Sequence, residues 1–96
     1  MAQLELGQLV MTQGVAALVE TDIAFAQHVL RSMQRYTKHD WGELDEEDIH
    51  MNNSALGPDV DRILAAYEME GHPEYRLWIL TERDRSVTTL LFPSEY

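Results

Sequence analysis

The apolar residues of this chain change their spacing once. Up to Leu56 they recur at intervals of three and four, and from Arg62 onward they alternate with polar ones, so helices precede strands along the chain. A helical part followed by a run of strands specifies an α+β domain of two layers, with helices on one face of a mainly antiparallel sheet. At 96 residues the chain has the size of a single domain, 1–96.

In the last third, Ile63, Ala65, Tyr67 and Met69 share one face of the segment Arg62–Met69. Gly71-His72-Pro73-Glu74 has the composition of a turn, and Tyr75–Thr81 follows as a strongly apolar strand. The polar tip Glu82–Ser86 reverses the chain into Val87–Phe92, rich in β-branched residues and stopped by Pro93. These strands are expected to form a meander. A further short apolar run, Gly7–Thr12, reads as a buried strand added at an edge or beside a meander strand, which makes a sheet of three to four strands.

The helical part holds one short and two main helices. Thr12 is placed to cap a short helix over Val15–Val19, and Thr21 offers the next cap. From Asp22, Phe25 or Ala26, Val29, Leu30, Met33 and Tyr36 form the expected inner stripe, with Gln27, His28, Arg31, Ser32, Gln34 and Arg35 opposite. The third helix has the clearest limits. Asp45 is its cap, Asp48 a short-armed capping-box partner, and Leu44 and Ile49 a hydrophobic staple. Gly57 in a left-handed conformation and Pro58 close it, which predicts helix over 46–56.

Charge and composition exclude much chemistry. Seven Lys and Arg against 17 Asp and Glu give a formal charge of −10, which repels phosphates and anionic lipid and argues against direct nucleic-acid or membrane binding. The absence of cysteine removes disulfides, thiolate zinc sites and thiol catalysis, and suits a reducing cytoplasm. No apolar run approaches the ~20 residues of a membrane span, and Met1–Leu6 lacks the basic start and apolar stretch of a signal peptide. There is no Gly-x-Ser-x-Gly elbow, no Gly-Lys-Ser/Thr loop and no Gly-x-Gly-x-x-Gly. Glu47 and His50 have the spacing of carboxylate-bridged iron sites, but in one copy only, so neither metal nor cofactor is expected. The four histidines, 28, 39, 50 and 72, are scattered and expected on the surface.

Acid is concentrated in Asp40, Glu43, Asp45, Glu46, Glu47 and Asp48. Carboxylates in the first turn of a helix stabilise it through the macrodipole. Carboxylates a few ångströms apart on a rigid helix also imitate phosphate spacing and attract a basic groove. Trp41, in His39-Asp40-Trp41-Gly42, either anchors a loop over the core or stands exposed as an interface anchor. Arg83 and Arg85 lie in the polar tip, where Asp84 can pair with them across the turn.

Gly7-x-Leu9-Val10-x-Thr12-x-Gly14, Asp40-Trp41-Gly42-x-Leu44-x-x-x-Asp48, Asn52 or Asn53, and Thr81-x-x-Asp84-Arg85-x-x-Thr88-Thr89-x-Leu91-x-Pro93-x-Glu95-Tyr96 are similar to a family of short uncharacterised proteins. These are often found with plasmids and other mobile elements, and some carry a label linking them to type I restriction systems. Where that family has Gly before Asp-Trp-Gly, this chain has His39. The resemblance implies a place in conflict between mobile elements and host defence. Small acidic proteins in that setting resemble inhibitors that occupy nucleic-acid-binding surfaces, such as anti-restriction and anti-CRISPR proteins.

Residues and resemblance together predict a cytoplasmic protein that binds a protein partner with a basic, nucleic-acid-binding surface. The expected contact residues are Asp40, Trp41, Glu43, Asp45, Glu46, Glu47 and Asp48, with no catalytic residue assigned. The alternative is a small hydrolase or nucleic-acid-processing enzyme using His39, Asp40 and Arg85. A homodimer formed through an exposed meander edge is a third expectation.

Overall fold

A computed structural model describes residues 4–57 and 59–96; the stop assigned to Pro58 lies outside the described residues. Strand β1 (Gln8–Met11) is followed by helices α1 (Gln13–Thr21), α2 (Ile23–Thr37) and α3 (Glu46–Ala55). Strands β2 (Ile63–Met69), β3 (His72–Thr81) and β4 (Val87–Leu91) come next, then a 3-10 turn over Pro93–Glu95. The architecture is the expected α+β one, with a small sheet and helices on it. β2, β3 and β4 form the antiparallel meander, and β1 adds to β4 in parallel, so the order across the sheet is β1-β4-β3-β2.

The register determines which side chains meet the helices. Ile63 lies opposite Thr81, Thr81 opposite Thr88, and Thr88 opposite Leu9. One residue pair further along, Ala65, Ile79, Leu90 and Met11 form the next row. Alternation along each strand puts these residues and Tyr67 and Leu77 on one face, where Ile63, Ala65, Tyr67, Leu77, Ile79 and Leu90 join Val15, Phe25 and Tyr36 in the core.

Several local readings are corrected. β1 is an edge strand with Leu9 and Met11 about half exposed, since no strand lies beyond it in the sheet. Asp22, and not Thr21, caps α2: its carboxylate accepts from the Phe25 N–H and from the Tyr75 hydroxyl, which hold its pKa below the ordinary value. The inner line of α2 is Phe25, His28, Ser32 and Tyr36, whereas Leu30 is 61% exposed. The apolar stripe is therefore wider than the face the sheet can cover. Ser32 is accommodated because its hydroxyl donates to the His28 carbonyl at 2.7 Å. The hairpin turns at Glu70-Gly71, with Gly71 at φ +81°, and His72 and Pro73 belong to β3. Gly57 does not adopt positive φ; α3 closes by the Leu56 and Gly57 N–H groups donating to the carbonyls of Asn53 and Ser54, a tightened last turn.

A chain of hydroxyls crosses the core. Thr88 donates to the Leu6 carbonyl at 2.8 Å, so its oxygen accepts from Thr81 at 2.8 Å, and Thr81 in turn accepts from Tyr36 at 2.6 Å. Tyr36, Thr81 and Thr88 are fully buried, and burial pushes the Tyr36 phenol up to about 12. At the other end of the sheet, the Glu95 carboxylate accepts from the Thr12 hydroxyl at 2.7 Å, the Gly14 N–H at 3.2 Å and the Phe92 N–H at 2.9 Å, clasping the start of α1 to the last turn. Thr81→Val leaves the Tyr36 hydroxyl stranded but for the long contact to the Ile63 carbonyl at 3.5 Å and is expected to cost about 1–3 kcal/mol. Adding Tyr36→Phe removes the stranded group, so the double variant should lose less than the sum of the two singles in denaturant titrations.

Candidate functional site

The acidic segment begins where α2 ends. His39 takes a left-handed backbone, φ 64°, and turns the chain back. The Asp40 carboxylate then accepts from Arg35 Nε at 2.8 Å and Nη2 at 3.2 Å, and from the Gly42 N–H at 3.1 Å. The guanidinium holds the Asp40 carboxyl below its ordinary range, and Arg35 is raised in return. Arg35 also lies over the Tyr67 ring, 5.1 Å from its centroid, and 3.6 Å from Glu43.

From this turn the chain runs along the outer edge of β2. The Ala66 N–H donates to the Trp41 carbonyl at 3.2 Å, and the Glu43 N–H donates to the Ala66 carbonyl at 2.7 Å. Glu43 Oε2 accepts from the Glu68 N–H at 3.1 Å. On the other side of Ala66, the Asn52 amide donates to the Leu64 carbonyl at 2.8 Å and accepts from its N–H at 3.4 Å. Leu64, Ala66 and Glu68 are the alternate residues whose backbone groups face away from β3, so side chains and loop backbone seal this edge. Gly42, at φ +79°, makes the approach possible: a Cβ there would stand 2.0 Å from the Ala66 carbonyl oxygen.

Trp41 is 3% exposed, so of its two readings the loop anchored over the core holds and the exposed interface anchor does not. Its ring meets Tyr36 edge-on at 5.5 Å, His39 stacks on it at 5.5 Å, and Nε1 donates to Asn53 Oδ1 at 2.9 Å, joining the loop to α3. The expected contact residues therefore divide. Asp40, Trp41 and Glu43 are engaged within the fold, and Asp45 Oδ1 caps α3 by accepting from the Asp48 N–H at 2.9 Å. Glu46, Glu47 and Asp48 are exposed in the first turn of α3, and their side chains enter no hydrogen bond or ion pair among the described residues.

The structure does not bring His39, Asp40 and Arg85 to one place. The Arg85 guanidinium donates to the carbonyls of Asp61 at 2.7 Å and Ala55 at 2.9 Å, with Glu82 and Arg83 more distant, and so ties the end of α3 to the β3–β4 turn. Asp84 Oδ1 accepts from the Ser86 N–H and hydroxyl at 3.0 and 2.6 Å. A cavity of about 160 Å³ between α3 and β2 is lined by Leu44, Asp48, Asn52, Asp61 and Arg62 among others. Among the described residues no group of three or more His, Asp or Glu side chains is placed to hold a metal ion, and no helix is long and apolar enough to cross a membrane. No protein-family model, curated protein or solved structure matches the chain.

His28 was expected on the surface and is 5% exposed. Its Nε2 faces the Tyr67 carbonyl at 3.3 Å beside the Phe25 ring. The signal available in the sequence was its spacing of three from Phe25 and eight from Tyr36, the inner line of α2. Desolvation lowers its pKa from the ordinary 6.5. The unfolded chain therefore binds the proton first: stability is fully present above about 6.5 and is lost as pH falls toward the folded value. Denaturation midpoints measured from pH 7.5 to 5 should decline, and His28→Gln should flatten that decline. Gly42→Ala is expected to cost at least about 2 kcal/mol, because positive φ and the clash with Ala66 act together; thermal unfolding of the variant measures it.

Proposed function

We propose that this protein binds a protein partner with a basic, nucleic-acid-binding surface, and that Glu46, Glu47 and Asp48 make the contact. The observation that carries the reading is the division of the acidic segment. Asp40, Glu43 and Asp45 hold the loop and helix in place, while the next three carboxylates face solvent without internal partners. They project from a helix whose body is fastened by Trp41 to Asn53, by Asn52 to Leu64 and by Arg85 to Ala55.

A fixed cluster of negative charge loses little entropy on binding and steers a cationic surface from a distance. The net charge of −10 works in the same direction and keeps nucleic acid away from this chain, so the partner's basic groove would be closed to its usual ligand. The resemblance to short proteins of mobile elements supports an inhibitor of a host-defence protein of anti-restriction or anti-CRISPR type. The absence of cysteine fits a cytoplasmic setting.

The test is capture of basic proteins from a host lysate on the immobilised chain. Recovered partner should be displaced by added duplex DNA and should decline steeply between about 50 and 200 mM salt. The triple charge reversal Glu46→Lys, Glu47→Lys, Asp48→Lys should weaken capture at least about tenfold; it also removes the favourable macrodipole interactions of the first turn of α3, so capture is compared at a temperature where circular dichroism shows both chains folded. Unchanged recovery with the triple variant, or recovery indifferent to DNA, would overturn the reading.

A further inference from the structure

The two edges of the sheet are treated differently. The edge at β2 is sealed by the chain itself, so the expected meander-edge dimer has no strand to join. Among the described residues nothing pairs with the outer edge of β1. The Gln8 N–H donates to the Ser86 carbonyl and the Thr12 N–H to the Leu90 carbonyl, so the alternation of the strand turns the backbone groups of Leu9 and Met11 away from β4. β1 is the last strand on that side of the sheet. Its four residues, Gln8-Leu9-Val10-Met11, contain no charge and no proline, the devices with which edge strands are normally blunted.

Beside this edge lies an apolar groove of about 440 Å³, lined by Leu9, Met11, Val19, Val29, Leu30 and Met33 among others. Leu9, Met11 and Leu30 retain 52%, 46% and 61% of their surface. The groove exists because the apolar stripe of α2 extends past the face that the sheet covers.

We propose that β1 pairs antiparallel with β1 of a second copy about a two-fold axis at Val10. The geometry of the strand is self-complementary in that register. Leu9 lies opposite Met11 of the second copy and Met11 opposite its Leu9, both with outward backbone groups, so each pair exchanges two hydrogen bonds. The Leu9 and Met11 side chains of both copies meet on the helix side, where the two grooves adjoin, and the sheets join into one of eight strands. Charge also selects this edge. Two copies at −10 each repel one another, and they approach at least cost where the strand and the groove beside it carry no carboxylate. Four residues of strand and the groove beside them make a smaller contact than the roughly 800 Å² per partner of a standard interface, so a high chain concentration is needed to populate the dimer. This assignment is independent of the acidic face of α3.

Sedimentation equilibrium of the full chain from about 10 μM to 1 mM tests it. The mass should rise from 11.1 kDa toward twice that value, and added salt should promote the rise by screening the repulsion. Met11→Lys on the strand and Leu30→Lys on the helix should each raise the dissociation constant at least about tenfold. Leu30 is exposed on a helix surface, so its variant keeps the fold intact when a strand variant does not. A chain that stays at 11.1 kDa throughout, or a dimer unaffected by both lysines, overturns the proposal. A chain that stays monomeric yet binds an added strand-forming peptide at this edge also overturns it, with a foreign strand in place of the second copy.

Discussion

A strand at the end of a sheet leaves the backbone groups of every second residue without a partner, and in this protein β2 finds those partners within its own chain. The demand of Leu64, Ala66 and Glu68 for hydrogen bonds explains why the segment from Asp40 to Asn53 has its particular residues. Arg35 and Asp40 bend the chain, Gly42 lets it approach, Trp41 weights it onto the core, and Glu43 and Asn52 supply side-chain partners. The placement of α3 follows from this seal, since the helix is held to the loop and to β2 by groups that serve it. The outward direction of Glu46, Glu47 and Asp48 is thus a consequence of satisfying one edge.

The segments that most distinguish the sequence have a structural account. Asp-Trp-Gly is the edge seal. Thr-x-x-Asp-Arg-x-x-Thr combines a buried hydroxyl pair, Thr81 and Thr88, with a turn closed by Asp84 and an arginine that grips the end of α3. Buried polar groups are costly unless every one is satisfied, and the Tyr36-Thr81-Thr88 chain meets that condition across α2, β3 and β4.

The meander, the three helices and the two-layer arrangement were legible because they rest on local periodicity and capping, which a sequence displays directly. The cap at Asp45 is such a case. The parallel pairing of β1 with β4 and the burial of His28 were not legible, since both depend on contacts between residues far apart in the chain. The alternation of Leu9 and Met11 marks a strand but not its neighbour, and a histidine on a helix reads as polar until a carbonyl is known to face it. Trp41 allowed two readings for the same reason: burial is decided by Tyr36 and Asn53, neither adjacent in sequence.

The strand order has a consequence for synthesis. β4 lies between β1 and β3, and the clasp of Glu95 on Thr12 spans 83 positions. β1 therefore emerges from the ribosome before its neighbour exists, and waits while the chain from Met11 to Leu91 is translated, several seconds at about 5–20 residues per second. The α1–α2 pair and the β2–β3 hairpin can form during that interval. The pairing of β1 can form only once β4 has been made, and until then the nascent chain carries an uncharged strand without its neighbour.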